Sequence, residues 1–259
     1  MMTPRRFRIE LRQAAPNPGD LAGNTDSVIR ALDSCTAELL VFPELFLSGY
    51  DTQHLDELAL AIGDPRIAQL ADACRRAHVA LMVGFAERDG TGFYDSYLAI
   101  DHDGTVLEPI RKTHLFGTEG EVFLAGNILA PITLMGIRIG VLNCFELEFP
   151  EIARTLALRG AEMLVCGSAN MHPYGLDHRI ATQSRAIENR LPLAYVNRIG
   201  EQDGHRFCGL SRLVDPDGTT RRQLGEAETA SICDEVTIGF SPAGEVDMLA
   251  QRRPELYAS

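Results

Sequence analysis

The sequence predicts an α/β fold with two sheets and helices outside them. Short apolar runs rich in Val, Ile and Leu alternate with longer stretches of helical spacing, the pattern of strands buried on both faces beneath helices. The elements run β-α-β-α and then paired strands, and the same order follows again. No repeat, low-complexity tract or linker interrupts residues 1–259, so the chain reads as one domain.

Taken in order, Phe7–Gln13 reads as a strand and about Asp20 to Thr36 as a helix. Leu39–Phe42 is a second strand, ended by Pro43. Pro65–His78 is a helix with Ile67, Leu70, Ala71 and Cys74 at core spacing. Ala80–Glu87 and Tyr94–Asp101 are strands, and Asp101-His-Asp-Gly104 turns the chain into a strand at Val106–Arg111. Gly136–Leu142 is a buried strand leading to Cys144, and a helix starts near Phe149, with Pro150 in its first turn, and stops at Gly160. Met163–Cys166 is a strand and His178–Arg190 a helix. Strands are expected at Leu193–Asn197, Arg206–Val214, Thr219–Gln223 and Thr229–Glu235, with a turn at Asp215-Pro-Asp-Gly218.

Composition excludes several functions. Asp and Glu outnumber Lys and Arg 36 to 24, for a net charge of −12; such a surface repels phosphate backbones and anionic membranes, so nucleic acid is not an expected partner. No apolar run approaches the roughly 20 residues of a membrane span, and the opening MMTPRRFRIELRQ carries no signal-peptide apolar region. The expected location is cytoplasmic. Six cysteines form no CxxC pair and no disulfide or zinc framework. Seven histidines form no HExxH, and there is no GxSxG elbow, P-loop or GxGxxG. Neither a metal nor another cofactor is expected.

Three residues stand out at strand ends. Glu44 closes Leu39-Leu-Val-Phe-Pro-Glu44, and Lys112 follows the Val106–Arg111 run; α/β folds place their sites at such edges. Cys144 lies in Gly140-Val-Leu-Asn-Cys144-Phe-Glu-Leu-Glu-Phe-Pro-Glu151, between a buried strand and a helix N-terminus. Unpaired N–H groups, the helix dipole and a lysine would favour a thiolate there and receive a developing oxyanion. Against each stands a plain alternative: a solvated Glu, an exposed Lys, a cysteine that only fills space.

In type, order and spacing, FPELFLSGY, RKTHLF and CFELEFPE resemble the three motif regions of the nitrilase superfamily of carbon–nitrogen hydrolases. The likeness continues through Ser168-Ala-Asn-Met171, Arg185-Ala-Ile-Glu-Asn189 and Phe207-Cys-Gly-Leu-Ser211 to Arg252-Arg-Pro-Glu-Leu-Tyr257. It implies a four-layer αββα sandwich that pairs into homodimers or larger homo-oligomers. It also implies Glu44 as general base, Cys144 as nucleophile, and Lys112 with the Phe145 N–H as oxyanion holders. A second glutamate after the lysine loop is Glu119 by its distance to Phe123, with Glu121 a rival. Phe145-Glu146 stands where Tyr-Asp or Trp-Asp is usual in the family, and Ile110 where Tyr often precedes Arg-Lys.

FLSGYD, RKTHLFG, SANMHPYG and CGLSRLVDPDG are similar to the branch containing aminovaleramide amidases and R-stereoselective amidases. Members acting on carboxylate substrates commonly carry arginine four residues after the nucleophile, where this chain has Glu148. A Glu there would favour an ammonium-bearing substrate; its alternative is a carboxylate that merely complements the helix dipole. Tyr50, Asn170 and Tyr174 are further expected pocket residues. The expected reaction is hydrolysis of a small, amine-bearing aliphatic primary amide. Nitrilase or N-carbamoyl amine chemistry on the same triad, and an inactive binding protein, are the alternatives.

Overall fold

The computed structural model describes residues 5–239 and 248–257. The first half runs β1 (Arg5–Gln13), α1 (Leu21–Ser34), β2 (Leu39–Val41), α2 (Leu55–Leu58), α3 (Pro65–Ala77), β3 (Ala80–Asp89), β4 (Gly92–Ile100) and β5 (Ile110–Arg111). The second half runs β6 (Ile132–Leu134), β7 (Ile137–Asn143), α4 (Pro150–Leu158), β8 (Met163–Ser168), α5 (Gly175–Asn189) and β9 (Leu193–Asn197). It finishes with β10 (Ile199–Gln202), β11 (His205–Cys208), β12 (Arg212–Val214), β13 (Thr220–Gln223) and β14 (Ala230–Ile238). Two six-stranded sheets result, ordered β14-β1-β2-β3-β4-β5 and β13-β12-β9-β8-β7-β6. Each has a parallel centre, β1-β2-β3 in one and β7-β8-β9 in the other, with antiparallel flanks.

The strand sequences explain the layering. In β2, Leu39 and Val41 face the inter-sheet core while Leu40 faces the helices. In β8, Met163 and Val165 face inward and Leu164 and Cys166 face α4 and α5. Alternate side chains therefore bury into two different cores, and the run is apolar at every position. Helices α1 and α3 cover one sheet, and α4 and α5 the other. This is the α/β sandwich of four layers, αββα, that the sequence predicts. Asp20 and Asp64 cap α1 and α3 by accepting the Gly23 and Arg66 N–H groups, which is why those helices start there.

Two expected strands change. Only Ile110–Arg111 of Val106–Arg111 pairs regularly, with an isolated bridge at Val106; Pro109 lacks the N–H a continuous ladder needs. Arg206–Val214 breaks at Gly209 and Leu210, whose φ values are +56° and +61°. Two left-handed residues in succession turn the chain out of one ladder, so β11 pairs with β10 and β12 with β9. The helix expected at His178–Arg190 begins earlier, at Gly175. Strands β6 and β10 and the short α2 go beyond what the sequence reading contains.

Candidate active site

Glu44 is carried just past β2 by Phe42 and Pro43. Its backbone is held by β3: Phe42 N–H donates to Met82 O at 2.8 Å and Gly84 N–H to Pro43 O at 3.1 Å. A Cβ on Gly84 would lie 2.3 Å from Leu45 N, so only glycine lets β3 pass this close behind the glutamate. Lys112 follows β5 and stays paired with β4, its N–H donating to Asp95 O at 2.9 Å. Glu119 lies in a 3-10 turn, Gly117–Glu121. Its Oε2 accepts the Phe116 N–H at 2.8 Å, which fixes the loop after the lysine.

These residues meet in a buried cluster. Lys112 Nζ lies 2.6 Å from Glu44, 3.2 Å from Asp95 and 2.9 Å from Glu119, all with side chains shut off from solvent. Glu121 is exposed; Glu119 is the glutamate brought to the lysine. Asp95 escaped the sequence reading because it sits inside a strand as one acid among 36 Asp and Glu. Only the pairing of β4 with the lysine segment aims it at Nζ. Burial and the Glu44 charge push the Asp95 carboxyl well above its usual range. Lys112 is held well above the usual lysine range by Glu44, Asp95 and Glu119, against the opposing effect of burial. Glu44, Asp95 and Glu119 converge closely enough to ligate a metal ion. The Lys112 ammonium fills the centre of that group, so these residues fit a fixed internal cation rather than a metal.

Cys144 comes from the other sheet. It leaves the tip of β7 with φ +46° and opens a 3-10 turn, Cys144–Glu148, ahead of α4. The left-handed conformation is uncommon for a residue with a side chain and marks strain at the turn. The first N–H groups of such a turn, Phe145 among them, have no partner within it. Glu146, buried, ties the turn to the lysine loop: it accepts the Asn143 N–H at 2.8 Å and the Thr113 N–H and hydroxyl at 2.6 Å each. Glu44 Oε2 accepts the Ala169 N–H at 2.7 Å, bracing the base against the end of β8.

The thiol does not follow the expectation of a lowered pKa. Burial, and then the Glu44 charge, push Cys144 well above the usual thiol range; Lys112 and the Ser168 hydroxyl only partly oppose this. The physical reason is burial of the sulfur with a carboxylate alongside, which together outweigh the lysine. The resting sulfur is a thiol, and an adjacent base is what can activate it.

Above Cys144 opens a pocket of about 310 Å³, mouth included. Its walls are aromatic: Phe116 meets Phe145 at 5.4 Å and Tyr174 at 5.9 Å between ring centroids. Tyr50 donates its hydroxyl to Glu119 at 2.7 Å. Glu148, a third exposed at its side chain, also lines the pocket, with His178 Nε2 3.4 Å from its Oε1. Asn170 lines it as well, but its amide is committed to the loop, donating to Tyr174 O and accepting the Met171 N–H. Glu119 and Glu148 are the acids among the lining residues, and no Lys or Arg faces it.

Known proteins are similar to this chain in sequence and fold. The profile of the family described as carbon–nitrogen hydrolase matches residues 8–238. The chain is 38% identical to a hydrolase encoded in the pqqF 5′ region of Pseudomonas protegens, covering 97% of this chain and 90% of that protein. It is 37% identical to an (R)-stereoselective amidase of a Pseudomonas species, over 88% and 84% of the two chains. An amidase from Nesterenkonia sp. superposes with a TM-score of 0.83 at 28% identity, over 97% of this chain and 95% of that one. A mutant of that amidase carries the acetamide moiety of fluoroacetamide on its active-site cysteine. With the profile spanning nearly the whole chain and relatives of this identity, the chain belongs to the carbon–nitrogen hydrolase family of the nitrilase superfamily.

Proposed function

We propose that the protein is an amidase that hydrolyses small aliphatic primary amides, preferably ones that also carry an amine, to the acid and ammonia. One observation carries this reading: a strained Cys144 at the floor of a small pocket, beside a buried lysine encircled by carboxyls. Glu44 takes the Cys144 proton as sulfur attacks the amide carbon. The oxyanion is received by the Lys112 ammonium and the Phe145 N–H. Glu44 returns the proton to nitrogen, the C–N bond breaks, ammonia leaves and a thioester remains. Glu44 then activates water to release the acid. Glu119 steadies Lys112 and, through Tyr50, the pocket wall. Butyramide bound to a cysteine-to-alanine mutant of the Nesterenkonia amidase, and the acetamide moiety of fluoroacetamide added to the active-site cysteine of another mutant, support a nucleophilic cysteine in an amide-binding pocket.

The amine preference rests on Glu148. It is a lining carboxylate at the aromatic mouth, with no Lys or Arg among the described lining residues to oppose it, and a pocket of that sign suits an ammonium group and disfavours an acid. The experiment is an ammonia-release assay on aminovaleramide and butyramide. Cys144→Ala should lose at least about 10³-fold in turnover while keeping its circular dichroism; retained turnover sinks the mechanism. Glu148→Gln should raise KM for aminovaleramide about tenfold and leave butyramide within about twofold. An equal effect on both substrates refutes the ammonium reading alone.

The family resemblance also points to a homodimer as the working unit, in the cytoplasm. Leu176, Ile180 and Ile187 form an exposed apolar stripe along α5, 52%, 55% and 41% accessible, which supports a surface of that kind. Among the described residues no helix is long and apolar enough to cross a membrane.

A further inference from the structure

A chain of buried hydroxyls runs from His178 to the nucleophile. Ser168, at the end of β8, donates its hydroxyl proton to Cys144 Sγ at 3.3 Å. The same oxygen accepts the Asn170 N–H at 3.0 Å and the Tyr195 hydroxyl at 3.2 Å. Tyr195 Oη lies 3.0 Å from His178 Nδ1, and His178 Nε2 lies 3.4 Å from Glu148 on the opposite side of the ring. The three members come from three elements, β8, β9 and α5, and all are buried.

Counting protons sets the direction of this chain. A serine hydroxyl has two lone pairs and one hydrogen. Asn170 and Tyr195 fill both lone pairs of Ser168, so its single hydrogen has no other outlet than the Cys144 sulfur. Tyr195 in turn directs its hydrogen to Ser168, and its oxygen therefore accepts from an N–H at His178 Nδ1. Glu148 Oε1 lies 3.4 Å from the other ring nitrogen, on the side away from the tyrosine.

We propose that His178 and Tyr195 are positioning residues for the nucleophile, polarising the Ser168 hydroxyl so that its hydrogen points at the Cys144 sulfur. This rests on the reading of Cys144 as the nucleophile. The hydrogen bond acts whenever sulfur carries negative charge: as Glu44 removes the thiol proton, and again as thiolate leaves the thioester. Charge-assisted hydrogen bonds are the stronger kind, so the contact favours these states over the resting thiol. Without the Tyr195 hydroxyl, Ser168 regains a free lone pair and a choice of rotamers, and its hydrogen is no longer committed to sulfur.

The test uses the intact enzyme and two readouts, the rate of Cys144 alkylation by iodoacetamide and the steady-state constants for butyramide. Tyr195→Phe keeps the buried ring and removes only the hydroxyl. It should slow alkylation and kcat about tenfold each, with KM within about twofold. Ser168→Ala should slow both at least as much, and adding Tyr195→Phe to it should change nothing further, because the tyrosine acts only through the serine. His178→Leu should resemble Tyr195→Phe. His178→Asn, whose amide N–H sits where Nδ1 does, should recover most of the rate. Wild-type alkylation in Tyr195→Phe, or additive losses in the double variant, would overturn the proposal. Retained turnover in Cys144→Ala would instead remove the nucleophile assignment, while the alkylation arm still reports on the sulfur contact itself.

Discussion

Lys112 is surrounded by three carboxyl groups. Like charges crowded in a buried site repel one another, and burial adds to the cost of ionising each. At Asp95 burial and the Glu44 charge raise the carboxyl, and that has a consequence for stability. A carboxyl with a raised folded-state pKa is protonated when folded and ionised when unfolded over the interval between its ordinary value of 3.8 and the folded-state value. Its contribution is complete below the ordinary value and lost as pH rises toward the folded pKa. Relative to Asp95→Asn, the wild type should lose about 1.4 kcal/mol of unfolding free energy per pH unit from about pH 4 upward. Denaturant melts of both proteins between pH 4 and 7 would show this; parallel curves would mean that Asp95 is ionised. At the same scale, the raised Cys144 thiol means that in the proposed mechanism reactivity comes from Glu44 acting during the reaction, not from a standing thiolate. Glu44, Lys112 and Cys144 could be read from the sequence because each sits in a distinctive local motif. Asp95 and Ser168 could not, since an acid or serine in a strand has no local mark of what lies across from it.

At the scale of elements, the site depends on how closely β3 passes behind Glu44. Gly84→Ala should force that backbone apart, costing about 1–3 kcal/mol of stability. It should also lower kcat by at least about tenfold through displacement of the base. Thermal unfolding and turnover measured together check this; unchanged kcat in a folded variant would show that Glu44 tolerates the shift. Regular elements with clear caps and periodicity, such as α1 and α3, lie within a few residues of where the sequence puts them. Two of the failures share a cause. Backbone turns made by non-glycine residues at positive φ, Leu210 before β12 and Met135 between β6 and β7, look like ordinary apolar positions in the sequence. Their conformation is imposed by the sheets they join.

For the whole molecule, the two sheets each supply half of the chemistry. Glu44, Asp95 and Lys112 belong to one, and Cys144 and Ser168 to the other. The site therefore exists only while the sheets are packed, through the core of Phe7, Leu39, Val165 and their neighbours. The outer apolar stripe of α5 bears on assembly. Ile180→Glu should reduce the mass measured by light scattering to that of the monomer, and an unchanged mass would place the interface elsewhere. By itself the sequence determined the α/β class, the strand-end placement of three reactive residues and the family likeness, because each is written in local pattern or contiguous motif. The tertiary structure alone decided that Glu119 rather than Glu121 meets the lysine, that Asp95 joins it, and that burial raises the cysteine thiol with Ser168 aimed at it. Those outcomes depend on burial and on distances between residues far apart in the chain, and they arise only when the two sheets close on each other.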